Sequence, residues 1–174
     1  MYRAAKKDYQ IGRSCVSDGK QKDTDCQLLC KHSAVQRLIS DIKGLRVGLE
    51  NYFADQTIHE RHAKIAAATR KALTAGGIKL YLASGWANTV TVLEVPEGVT
   101  DRQILRSMEE DYGIMISGCF DVLAGKVVRI GHMGENCYVE QVVPTLQALQ
   151  GTLEKLGIPV ACDLAKTFLT EMGK

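Results

Sequence analysis

One arginine is set among apolar residues and bounded by glycines in the stretch Ala124-Gly125-Lys126-Val127-Val128-Arg129-Ile130-Gly131-His132-Met133-Gly134. A guanidinium keeps its charge at any ordinary pH. A strand that carries one inward must therefore bring it to a carboxylate, a phosphate or a set of backbone carbonyls. Gly131 and Gly134 let backbone or a ligand come close at the strand's end. The pattern points to a reader of small carboxylates centred on Arg129.

Other side chains invite chemistry with less support from their neighbours. His132 titrates near neutral pH and lies three residues from Arg129, which makes it a candidate substrate contact. His59 and His62 are three apart on a predicted helix, beside Glu60 and Arg61; the spacing suits half a metal site or a solvated face. Cys26, Cys30 and His32, with Cys15 further back, offer soft ligands but lack paired CxxC knuckles, so no metal site is expected. The six cysteines, which also include Cys119, Cys137 and Cys162, are scattered over different elements, and reduced thiols are the expectation. Trp86, in a loop after a strand, either lines a pocket or plugs the edge of the core.

These residues need elements to position them. Residues 1 to 32 are mostly polar and show no sustained period, so they read as an irregular arm. From residue 33 to 174 the chain reads as one domain. Val35, Leu38, Ile39, Ile42, Leu45, Val47 and Leu49 form an apolar stripe at helical spacing, interrupted by Gly44 and Gly48. Asp55 is placed to cap a second helix that the Gly76-Gly77 pair ends.

Ile78 to Leu82 and Thr89 to Val95 read as strands. Thr100-Asp101-Arg102-Gln103 is a capping box that opens a helix ending at Tyr112-Gly113. Ile114 to Ile116 and Lys126 to Ile130 are two more strands. A long helix follows, which Pro144 should kink or break near Glu140. Asp163 caps a terminal helix. This order predicts a two-layer α+β domain: a mainly antiparallel sheet of about four strands, helices on one face, and a long N-terminal helix.

Composition narrows the class of function. The chain has 174 residues, 45% hydrophobic and 24% charged, with 22 basic residues against 20 acidic ones. That balance, with no basic stripe interleaved with aromatics, argues against a nucleic-acid partner. No apolar run approaches the roughly 18 residues of a membrane span, and no secretory leader opens the chain. A cytoplasmic protein is expected.

The run Gly48-Leu49-Glu50-Asn51, the segment Thr89 to Gly98, the segment Tyr112 to Gly118 and above all Gly125 to Gly134 together resemble the C-terminal small domain of class V pyridoxal-phosphate aminotransferases. The resemblance is to the alanine-glyoxylate and serine-pyruvate type, and it spans residues 33 to 157. It implies the small-domain architecture of fold type I. It also implies that Arg129 binds the α-carboxylate of a small amino acid or 2-oxo acid, with Gly118 and His132 completing the candidate substrate-binding set.

The same resemblance implies pyridoxal phosphate as cofactor. The Schiff-base lysine, the partner of the pyridinium nitrogen and the phosphate cup lie, in that family, on a large domain preceding the matched region. Lys31 and Lys126 read as surface lysines, so no cofactor is expected on the isolated chain, which should be inactive by itself. Asp121 stands in the loop before the arginine strand, where its charge would oppose an incoming carboxylate.

Two readings follow. One is the substrate-carboxylate-binding portion of an aminotransferase, paired with a large domain. The other is a noncatalytic, diverged or truncated module that acts by homo-oligomerisation or partner binding, with dimerisation through the long first helix.

Overall fold

The computed structural model describes residues 23–173, with side chains from residue 39 onward. The described residues fall into two units that divide between Ala54 and Asp55. In the first, helix α1 runs from Asp23 to Ala54. It therefore begins ten residues ahead of Ser33, where the apolar stripe sets in, and takes in Gln27, Leu28 and Leu29, all good helix formers.

The second unit holds α2 (Ile58–Ala75), β1 (Val90–Glu94), α3 (Asp101–Tyr112), β2 (Val127–Gly131), α4 (Val139–Lys155) and α5 (Leu164–Glu171). Most ends are set by the expected local chemistry. Thr100 and Gln103 form the full capping box, with the Gln103 side chain accepting from the Thr100 amide at 2.8 Å. Asp163 caps α5 by accepting from the Lys166 amide at 2.9 Å. Gly77, at φ +80°, turns the chain out of α2. Asp55 sits two residues ahead of the position expected of it. Thr57 is the residue that opens α2, and the Asp55 carboxylate accepts from its amide at 2.9 Å and its hydroxyl at 2.7 Å.

Proline also acts differently from the expectation. Helix α4 runs unbroken through Pro144. The residue lies only in the second turn, so one early amide is lost there without ending the helix.

β1 and β2 form a two-stranded antiparallel sheet, with Val92 opposite Arg129 and Leu93 opposite Val128. Of the two outer segments expected as strands, Ile78–Leu82 contributes a single bridge, Leu80 to Leu93, and next to Ile114–Ile116 the one bridge falls just beyond it, from Ser117 to Arg129. Both segments are short between turns. Gly77 and Gly85 adopt positive φ on either side of the first, and the second is closed in by Gly113 at φ +67° and the helical turn Asp121–Leu123.

The sheet has one dry face. Leu93, Val128 and Ile130 point from it into a core with Ile65 and Leu73 of α2, Met108 of α3, Leu146 and Leu149 of α4, and Phe168 of α5. α5 packs against both α2 and α4, and α3 against α4. Burial in β1 alternates as the pleat requires: Thr91 and Leu93 are buried and Val90, Val92 and Glu94 are half-buried.

Candidate functional site

Arg129 lies on the face of β2 opposite the core, because it alternates with buried Val128 and Ile130. It is half-buried, and the segment before the turn of residues 121–123 fixes it twice. Its backbone amide donates to the Ser117 carbonyl at 2.6 Å and its carbonyl accepts from the Ser117 amide at 3.1 Å. Its side-chain Nε donates to the Gly118 carbonyl at 2.8 Å. No carboxylate pairs with Arg129 among the described residues. The two terminal Nη nitrogens, with four N–H groups in one plane, therefore have no protein acceptor among those residues.

Gly118 thus reaches Arg129 through its carbonyl. A β-carbon built on it would stand 3.5 Å from Asp101 Oδ2 and from Leu105 Cδ1, an ordinary contact. Asp101 and Asp121 both stand near this loop in sequence or in space, yet neither enters an ion pair among the described residues. Asp121 is exposed, with φ +52°, and it begins the helical turn Asp121–Leu123, in which Val122 is 80% exposed and which follows Phe120 at 78% exposure.

His132 is not beside the arginine fork. It is 0% exposed, on the core side of the sheet, with Nε2 2.8 Å from the Thr91 hydroxyl and its own amide donating to the Thr89 carbonyl at 3.0 Å. Nδ1 has no hydrogen-bond partner. Burial pulls the imidazole down to about 4, with the nearby Arg70 charge acting in the same direction, so the ring is neutral at physiological pH. The structure corrects the expected substrate contact to a sealed core pair. The signal was present in the sequence: residues 129 and 132 differ by an odd number, which sends their side chains to opposite faces of a strand.

The remaining candidates resolve one by one. Trp86 donates from Nε1 to the Leu82 carbonyl at 2.8 Å and lies under the Arg70 guanidinium at 4.9 Å, closing the loop of residues 82–87 onto α2. His62 Nδ1 lies 2.6 Å from the Ile58 carbonyl of its own helix. Among the described residues no group of three His, Cys, Asp or Glu could hold a metal. Cys119, Cys137 and Cys162 are free thiols, whereas the side chains of Cys15, Cys26, Cys30 and His32 lie outside the described residues. No described helix is long and apolar enough to cross a membrane.

No family model matches the chain. An uncharacterized aminotransferase of Methanocaldococcus jannaschii is 37% identical over 117 residues, covering 67% of this chain and 29% of that protein. Pyridoxamine–pyruvate transaminase of Mesorhizobium japonicum is 32% identical over 127 residues, 71% of this chain and 32% of the relative. Serine–glyoxylate aminotransferase of Arabidopsis thaliana is 35% identical over 121 residues, 67% of this chain and 30% of the relative.

The fold agrees with these relatives. The crystal structure of pyridoxamine-pyruvate aminotransferase from Mesorhizobium loti superposes with a TM-score of 0.73 at 29% identity, covering 77% of this chain and 36% of that one. Ureidoglycine-glyoxylate aminotransferase from Bacillus subtilis gives 0.68 at 30% identity, over 76% and 34%. The homologues are class V aminotransferases, and this chain matches a C-terminal portion of them. It spans about a third of the length of the relatives named here.

Class V aminotransferases imply pyridoxal phosphate. The described residues do not fit that group. A lysine that links a cofactor works desolvated and beside groups that lower its basicity, but every lysine with a described side chain is exposed. Lys64, Lys71, Lys79 and Lys155 are engaged with carboxylates at the surface. Lys126 is exposed just ahead of β2, and the Lys31 side chain lies outside the described residues.

Proposed function

We propose that this chain is the substrate-carboxylate-binding portion of a pyridoxal-phosphate-dependent aminotransferase that moves an amino group between an amino acid and a small 2-oxo acid. One observation carries the reading: Arg129 is tied to the Gly118 carbonyl by its inner nitrogen while the outer pair has no protein acceptor among the described residues. With Nε committed, the side-on approach of a carboxylate is closed and the end-on approach to Nη1 and Nη2 is open. Two parallel charge-assisted hydrogen bonds would then fix the acid's orientation, leaving its α-carbon to be presented elsewhere. Glyoxylate and pyruvate, which appear in the names of the relatives, are the small acids that suit such a fork.

The cofactor and the lysine that links it belong, on this reading, to sequence outside the matched portion, and the 174 residues by themselves do not transaminate. The test is a titration of the chain with glyoxylate and pyruvate, followed through the guanidinium resonances of Arg129 by nitrogen-15 NMR. Saturable shifts at Nη, lost in Arg129→Gln, are expected. Shifts that do not saturate, or that persist in Arg129→Gln, would sink the assignment. Adding pyridoxal phosphate followed by borohydride is expected to label no single lysine; stoichiometric labelling of one residue would overturn the division of labour.

A further inference from the structure

We propose, resting on the carboxylate role given to Arg129, that the Ser117 hydroxyl is a further donor to the same carboxylate, so that a small acid is held by a fork and a hydroxyl together. Arg129 stands between two partners across the sheet, Val92 of β1 on one side and Ser117 on the other. Residues directly opposite in antiparallel pairing put their side chains on one face, with β-carbons about 4.5 to 5.5 Å apart. Val92, Arg129 and Ser117 therefore form a row across the outer face of the sheet. The Ser117 end of the row is firmly placed: both backbone hydrogen bonds of the pair are made, at 2.6 and 3.1 Å.

The arginine side chain leans the same way. Its Nε reaches the carbonyl of Gly118, the residue bonded to Ser117, at 2.8 Å. That bond draws the guanidinium along the row toward the 117–118 segment and away from Val92. Ser117 is exposed, and its hydroxyl makes no hydrogen bond among the described residues. The open Nη pair and an open hydroxyl thus lie on one side of one row.

The neighbours offer nothing equivalent. Val92 presents only methyl groups, and Met115, two residues back on the same face as Ser117, presents an exposed thioether, which donates no hydrogen bond. An ionised carboxylate accepts along about four lone-pair directions, of which a bidentate fork uses two. A hydroxyl is suited to one of the others, because its proton rotates to the acceptor while the rest of the side chain stays in place.

Titration of the full chain with pyruvate, followed through the backbone amide resonances of residues 117–119, compares the parent with Ser117→Ala, Ser117→Thr and Arg129→Gln. Ser117→Ala should weaken binding by about five-fold, and Ser117→Thr, which keeps the hydroxyl, should stay within about two-fold of the parent. The Nε–H resonance of Arg129 in ligand-free Ser117→Ala should match the parent, showing the guanidinium still held by Gly118. Binding lost in Arg129→Gln but undiminished in Ser117→Ala would overturn the role of Ser117 and leave that of Arg129 standing. Ser117→Thr as weak as Ser117→Ala, or a displaced Nε–H in Ser117→Ala, would equally remove the hydroxyl as a donor. No saturable binding by the parent, or binding unchanged in Arg129→Gln, would overturn the carboxylate role of Arg129 and this inference with it.

Discussion

The Nε of Arg129 donates to the carbonyl of Gly118 at 2.8 Å, so the guanidinium is held by its inner nitrogen while its two terminal nitrogens meet no protein acceptor among the described residues. Lysine cannot reproduce that division, because a single ammonium has no inner donor to spend on the carbonyl. Arg129→Lys should therefore weaken carboxylate binding by about ten-fold or more. Gly118→Ala should leave it nearly unchanged, since the carbonyl remains and the added methyl would meet its neighbours at 3.5 Å. Calorimetric titration with glyoxylate compares the two; equal losses would show that the side-chain fork is not the binding group.

His132 sets a pH dependence of stability. The folded-state pKa is depressed to about 4 from 6.5, so the unfolded chain takes up the proton first as pH falls. Its contribution is present in full above about pH 6.5, declines between about 6.5 and 4, and is gone below; the shift corresponds to about 3 kcal/mol at most. Urea unfolding at a series of pH values should show that slope, and His132→Gln should flatten it. An unchanged slope in the variant would assign the effect to other groups.

Glycines of the two units should respond oppositely to alanine. At Gly44 and Gly48 of α1 a β-carbon meets nothing within 4 Å, and each substitution should add up to about 1 kcal/mol of helix stability. At Gly76 it would stand 2.5 Å from Leu164 Cδ2, a buried side chain, and the overpacking should cost about 1 to 3 kcal/mol. Circular dichroism melts of the three variants give the signs directly, and a stabilising Gly76→Ala would contradict the packing described at the α2 exit.

Thr100→Ala removes the hydroxyl that accepts from the Gln103 amide at 3.3 Å and ends the reciprocal cap. A loss of about 1 kcal/mol is expected, and Thr100→Ser should recover most of it. Thr57→Ala tests a different arrangement, because the Thr57 hydroxyl caps no backbone amide of α2; it donates to the Asp55 carboxylate at 2.7 Å and accepts from Arg61 Nη1 at 3.2 Å, and the loss should come from those two bonds.

Local signals in the sequence read well where they act within a few residues. The Thr100–Gln103 box, the Asp163 cap and the glycine exits of α2 and α3 need only neighbours, and the structure shows them as expected. Arg129 was also legible, because a lone charge in an apolar strand demands explanation. The width of the sheet was not. Apolar character in Ile78–Leu82 and Ile114–Ile116 shows that these segments border the core, but whether they make a ladder or one bridge depends on turns and partners distant in sequence. The place of His132 is harder to read, because adjacency to Arg129 suggests a shared site while the two-residue period of the strand sends the two side chains to opposite faces. Its partner, Thr91, lies 41 residues away, a distance no local pattern bridges.

The separation of Arg129 and His132 onto opposite faces of the sheet also insulates the arginine from the one imidazole nearest in sequence. That ring is neutral above about pH 4, so no change in its charge reaches the fork across the physiological range. A small oxo acid is ionised throughout the same range. If Arg129 takes the carboxylate as proposed, capture of such an acid should respond to ionic strength, which screens a partly exposed guanidinium, and not to the protonation of the core histidine on the far face of the sheet.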